Sequence, residues 1–168
     1  RTDAGVHAAG QVVSFGASTD MPTLRMLKAF NAVLPEDVTV VDLAEAPSGF
    51  NARFDARARV YRYAIAPRRR SIGRAYAWRV RYRLSPELLV EATTPLAGRV
   101  DLRGFSKRNE EDDYTSIVFR NNWTFSPNEI IFEISAIRFF QHTVRSIVGS
   151  AVEVARGKQP PDLLARIL

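Results

Sequence analysis

The chain has 168 residues, enough for about one domain with a buried core. Apolar residues make up 46% and charged residues 25%, which is a globular composition and argues against disorder or collagen-like repeats. Lys and Arg number 24 against 18 acidic residues, for a net charge of +6 and a pI near 10.2. Only three of those cations are Lys (Lys28, Lys107 and Lys158). An Arg-rich basic surface suits a polyanion, because the guanidinium fork binds phosphate at two points and stacks on bases. A GC-rich genome would inflate Arg in the same way. The absence of Cys excludes disulfides, thiolate nucleophiles and Cys-based zinc sites. Two His residues make a His-built metal centre a poor expectation. No apolar run approaches the ~18 residues a membrane span needs. Position 1 is Arg rather than Met, so a start upstream is expected.

In chain order, Ala9–Phe15 reads as a Val-rich strand closed by Gly16. Asp20 is placed to cap a helix from Pro22, with Met26, Phe30 and Val33 on one face and Pro35 at its end. Val38–Leu43 reads as a strand, and residues 44–56 as a connection. Arg57–Ala66 alternates with period two, which puts Arg57, Arg59, Tyr61, Tyr63 and Ile65 on one face. A basic loop with Arg68, Arg69 and Arg70 follows, then a strand over Ala75–Tyr82. Ser85-Pro86-Glu87 opens a short helix. Gly98 and Gly104 bracket a loop. Ile117–Trp123 and Glu129–Ala136 pattern as a hairpin around Ser126-Pro127-Asn128. The apolar spacing of Phe140, Val144, Ile147, Ala151 and Val154 predicts a helix over Phe139–Arg156, ended by Gly157. Arg138, His142 and Arg145 would form a second stripe on it. A last helix starts near Asp162. The sum is an α+β chain with mainly antiparallel strands.

Several residues could carry chemistry. In Arg1-Thr2-Asp3-Ala4-Gly5-Val6-His7-Ala8, an Arg two positions from a carboxylate can pair with it and fix its rotamer. An oriented Asp is a reasonable nucleophile or general base; taken alone, a frayed terminus explains the same residues. Arg57, Arg59 and Tyr61 on one strand face can grip phosphate and stack on a base, or can be a solvated sheet face. Arg68, Arg69 and Arg70 would add salt-dependent phosphate contacts. Glu110-Glu111-Asp112-Asp113 reads as a solvated loop. No nucleotide-binding glycine motif is present.

RTDAGVHA, followed by Gly10-Gln11-Val12, resembles the catalytic motif of the tRNA pseudouridine synthase A family. Phe50-Asn51-Ala52-Arg53-Phe54 with Arg59-Val60-Tyr61-Arg62-Tyr63 resembles the family's second motif. Leu96–Lys107 resembles a later loop, and Phe139–Lys158, with Thr143-Val144-Arg145-Ser146-Ile147-Val148-Gly149, a C-terminal helix motif. The resemblance runs over essentially the whole chain.

It implies a pseudouridine synthase fold: a mostly antiparallel, eight-stranded sheet flanked by helices, in two related halves with a central cleft. On that basis residues 1–49 are a remnant of the N-terminal half carrying the catalytic Asp, 50–56 the connection, and 57–168 the C-terminal half. The implied activity is isomerisation of uridine to pseudouridine in the anticodon stem-loop of tRNA. The implied protein is a cytoplasmic homodimer that needs no cofactor and no metal. Asp3 matches the catalytic aspartate, Arg1 the arginine beside it, Tyr61 the tyrosine that contacts the target base, and Arg145 the arginine that pairs with the aspartate. Arg57, Arg59, Arg68, Arg69 and Arg70 are candidate RNA contacts. Asp3 would act on the ribose, at C1′ or at the neighbouring 2′ proton. The family has further sequence before the first arginine and after the last helix, so this chain is expected to be a fragment. Asn51 stands where a His is usual, and Gln141-His142-Thr143 departs from the usual apolar and Met residues. The rival expectations are a non-catalytic basic RNA-binding domain and an inactive fragment.

Overall fold

A computed structural model describes residues 3–107 and 113–168. Two compact units are present: one holds Arg1–Ala9 and Arg57–Leu168, the other Gly10–Ala56. Asp3 therefore belongs to the same unit as the C-terminal elements.

In the Gly10–Ala56 unit the regular element is helix α1 (Thr23–Val33). Its N-cap is Pro22, which offers no side-chain acceptor, so the expected cap by Asp20 is not formed. The expected strands at Ala9–Phe15 and Val38–Leu43 are not strands, because neither has a ladder partner. Asn31 instead clamps the second segment, donating to the Val40 carbonyl (2.9 Å) and accepting from the Val40 amide (2.8 Å). Phe15 packs edge-on against Phe30. No residue of this unit is buried.

The larger unit is a five-stranded sheet carrying helices. Its strands are β1 (Arg59–Ala66), β2 (Trp78–Arg79), β3 (Gly98–Asp101), β4 (Thr115–Phe125) and β5 (Ile130–Ala136), in the order β2-β1-β5-β4-β3. Only β1 with β2 is parallel; the other pairs are antiparallel. β4 and β5 form the expected hairpin. The segment read as a strand over Ala75–Tyr82 splits into a 3₁₀ turn at Arg74–Tyr76 and the two-residue β2. The bracketed loop at Gly98 holds β3 and a 3₁₀ turn at Arg103–Phe105.

Burial alternates along β5, with Ile130, Phe132, Ile134 and Ala136 inward. On β4, Val118 and Trp123 both face the core although an odd number of positions separates them. A register shift between Val118 and Arg120 inserts one unpaired residue, the exposed Phe119, and resets the alternation. Trp123 packs on Phe132 (4.6 Å between centroids), and its Nε1 donates to the buried Thr93 hydroxyl.

Helices α2 (Pro86–Thr93), α3 (Thr143–Ala155) and α4 (Leu163–Ile167) share this core. Ser85 caps α2, accepting from the Leu88 amide with Pro86 next in line, as the sequence predicts. α3 buries Val144, Ile147, Val148, Ala151, Val152, Val154 and Ala155. Gly157, at φ +74°, ends it: its amide bonds the Val154 carbonyl and the Lys158 amide bonds that of Glu153, a Schellman closure. The helix begins four residues later than predicted. Arg138 and His142 consequently lie before it, and the proposed stripe with Arg145 does not exist. Arg138 instead donates to the Thr115 carbonyl and to Asp113.

Candidate active site

The motif around Asp3 folds as a tight turn. The Val6 amide bonds the Asp3 carbonyl (3.1 Å), and Gly5 sits at φ +76°, a backbone that glycine adopts without steric cost. His7 packs edge-on against Tyr76 with centroids 4.6 Å apart, which anchors the segment. Asp3 is thereby presented half-buried, with its Oδ2 accepting from the His142 amide at 3.4 Å. His142 caps the N-terminus of α3. A carboxylate there meets an unused backbone N–H and the positive end of the helix dipole.

The entry to α3 is braced from below. Thr143 Oγ1 bonds both the amide and the carbonyl of Phe140 and shares a 2.7 Å contact with the Ser106 hydroxyl. His142 has φ 69° and ψ −4°, and it is the one non-glycine residue with positive φ among the described residues. Left-handed backbone costs an ordinary residue about 1–2 kcal/mol.

The aromatic face of β1 reaches the same segment. Tyr61 packs edge-on against Phe139, 5.2 Å between centroids. Tyr63, two residues on, meets Trp78 at 6.4 Å. Burial pushes the Tyr63 phenol pKa up, and the positive charge of Arg145 opposes that rise. Arg145 is exposed on the first turn of α3. Residues 139–145 thus gather Tyr61, Asp3 and Arg145, each through a different neighbour. Among the described residues, no ion pair joins Asp3 to Arg145; the partner of the Asp3 carboxylate is a backbone amide. Arg1 lies outside the described residues, as do Glu110, Glu111 and Asp112.

The remaining basic candidates divide. Arg57 is exposed and precedes β1. Arg59, on the inward face, donates to the Ile137 carbonyl at 2.6 Å. Arg68 and Arg69 are exposed, whereas Arg70 is held by Glu129 (2.9 Å) and the Gly73 carbonyl. The Arg59–Tyr61–Tyr63 face is the partly buried, helix-side face of the sheet, not a solvated one. Tyr63 was accessible to period-two reasoning as the second Tyr on that face. His142 was not: His is somewhat enriched in left-handed backbone, but no local pattern says that this one adopts it.

A family model described as tRNA pseudouridine synthase matches residues 92–168. A tRNA pseudouridine synthase A from Exiguobacterium is 39% identical over 97% of this chain and 67% of that protein. The chain belongs to the tRNA pseudouridine synthase A family. A synthase A from Anoxybacillus flavithermus is 36% identical over the whole chain and 69% of its own length, and one from Bacillus subtilis 34% over the same shares. The chain spans about two thirds of the length of these relatives. The mostly antiparallel sheet flanked by helices fits the pseudouridine synthase architecture, with five strands among the described residues where the resemblance implies eight. Among the described residues, no helix is long and apolar enough to cross a membrane, and no three metal-ligating side chains gather.

Proposed function

We propose that the chain carries the catalytic residues of a synthase that isomerises uridine to pseudouridine in the anticodon stem-loop of tRNA. The observation that carries this reading is the Asp3 carboxylate, held on a helix N-terminus beside the segment that also brings Tyr61 and Arg145. The target uridine leaves its stack, and the Tyr61 ring bears on the extruded uracil. Asp3 attacks C1′, and the C1′–N1 pair departs with the base. The uracil turns, C5 bonds to C1′, and the ester to Asp3 breaks. C5 loses its proton and N1 gains one, so the product is an isomer and no electron leaves the system. Arg1 and Arg145 provide positive charge around the reacting carboxylate. The exposed Arg57, Arg68 and Arg69 hold the RNA backbone. The same proposal takes the protein to be a cytoplasmic homodimer, a reading supported by the family resemblance alone.

The test is turnover by the intact protein on an anticodon arm bearing uridine. Asp3→Ala and Asp3→Asn should each lower the rate by on the order of a thousandfold or more, while RNA binding and its salt dependence persist. Unchanged turnover in either variant ends the assignment. Salt-sensitive binding by the unaltered protein with no product formed would favour the binding-module reading instead.

A further inference from the structure

One peptide group near Asp3 is fixed at both ends. Its carbonyl, on Gln141, accepts from the Lys107 amide at 2.9 Å. Its N–H, on His142, donates to Asp3 Oδ2. A peptide is planar, so the two bonds set one orientation together. That orientation depends on His142: with the Thr143 amide bonded to the Phe140 carbonyl, residues 140–143 close a turn, and φ 69°, ψ −4° is the backbone of its third position when the central peptide is flipped as in a type II turn. An ordinary right-handed backbone at residue 142 would turn the N–H away from Asp3. The strain is held by the braces beneath it, Thr143 on Phe140 and Ser106 on Thr143.

We infer that the Gln141–His142 peptide is a positioning group for the reacting carboxylate, and that the left-handed backbone of His142, not its imidazole, is what the reaction requires. The inference rests on the reading of Asp3 as the group that acts on ribose. It makes His142 a positioning residue whose own side chain touches no reacting atom.

Glycine and asparagine tolerate this backbone and keep the N–H; a β-branched residue does not tolerate it. On the intact protein, His142→Gly and His142→Asn should keep kcat within about twofold. His142→Val should lower kcat by on the order of tenfold or more, with KM for the RNA within about threefold, since the basic surface is untouched. A purely structural role would instead lower the melting temperature in step with kcat. Wild-type kcat in His142→Val overturns the inference. So does an equal loss in all three variants, which would give the imidazole the role. Should His142→Val not fold, the amide proton resonance of residue 142 decides: it should move upfield in Asp3→Ala, and an unmoved resonance overturns the inference. That resonance reads the contact independently of turnover, so an active Asp3→Ala would end the functional reading while the resonance still judged the peptide's bond to Asp3.

Discussion

Gly10–Ala56 and Arg57–Leu168 carry the same kind of strand-forming text and meet different fates. VTVVDL at 38–43 is richer in β-branched residues than RVYRYAIA at 59–66. The second is a strand because β5 and β2 bond both of its edges; the first has no strand to pair with, and Val41 is left 82% exposed. Propensity describes what a segment can join, and pairing decides whether it joins. The helices repeat the point. α1 has an apolar stripe but buries no residue, whereas α3, of similar length, buries eight against the sheet.

If packing separates the two regions, truncating a side chain should separate them first. Phe132 is fully buried between Trp123 and the helices. Phe132→Ala should cost about 3–5 kcal/mol by denaturant unfolding, through lost transfer free energy and the cavity left behind. Val41→Ala in the other unit should stay within about 0.5 kcal/mol. A loss of several kcal/mol at Val41 would show that its segment is packed after all and would erase the contrast.

What was legible in the sequence follows the same division. Where partners lie nearby in the chain, reading worked: the β4–β5 hairpin, the Ser85 cap and the Gly157 terminator all depend on residues a few positions apart. Alternation also gave the correct face for Tyr61 and Tyr63, though not that helices would cover it. The Asp20 cap was a local miss, since Pro22 takes the N-cap of α1; most of the rest that failed needed partners the local pattern does not show. The start of α3 could not be placed without seeing Thr143 bond back to Phe140 and Ser106. The bond from His142 to Asp3 spans most of the chain, and no periodicity reports it. The motif identified Asp3 as the residue to watch. It did not reveal that the carboxylate would rest on a backbone amide.

A gentler probe compares two glycines. A Cβ on Gly104 would lie 2.5 Å from Ile167 Cγ2 and 2.6 Å from the Ile167 carbonyl oxygen. Cγ2 sits directly on the β-branched Cβ, whose χ1 is stiff in a helix, and the carbonyl is backbone of α4, so Gly104→Ala should cost about 1–3 kcal/mol. Gly16, in the other unit, has nothing within 4 Å of the same position. Gly16→Ala should be neutral or stabilising by up to about 1 kcal/mol, because it narrows the unfolded ensemble. Equal melting temperatures for the two variants would mean that α4 does not press on the Arg103–Phe105 turn.

The smallest expected effect is electrostatic. All five tyrosines lie outside Gly10–Ala56, so phenol titration reads the packed unit alone. Burial raises the Tyr63 pKa and the Arg145 charge holds it back. A raised phenol pKa means the fold favours the neutral form. Its contribution to stability is therefore complete below the unfolded value near 10 and is lost as pH rises through the folded value. Replacing Arg145 by Gln removes the cation that favours phenolate. The folded Tyr63 pKa should rise further, and the alkaline loss of stability should extend to higher pH. In a spectrophotometric titration, Arg145→Gln should delay one phenolate, and that delay should vanish when Tyr63→Phe is added. A delay that survives Tyr63→Phe would move the Arg145 charge away from β1, and with it the argument that Arg145 and the tyrosine face serve one site.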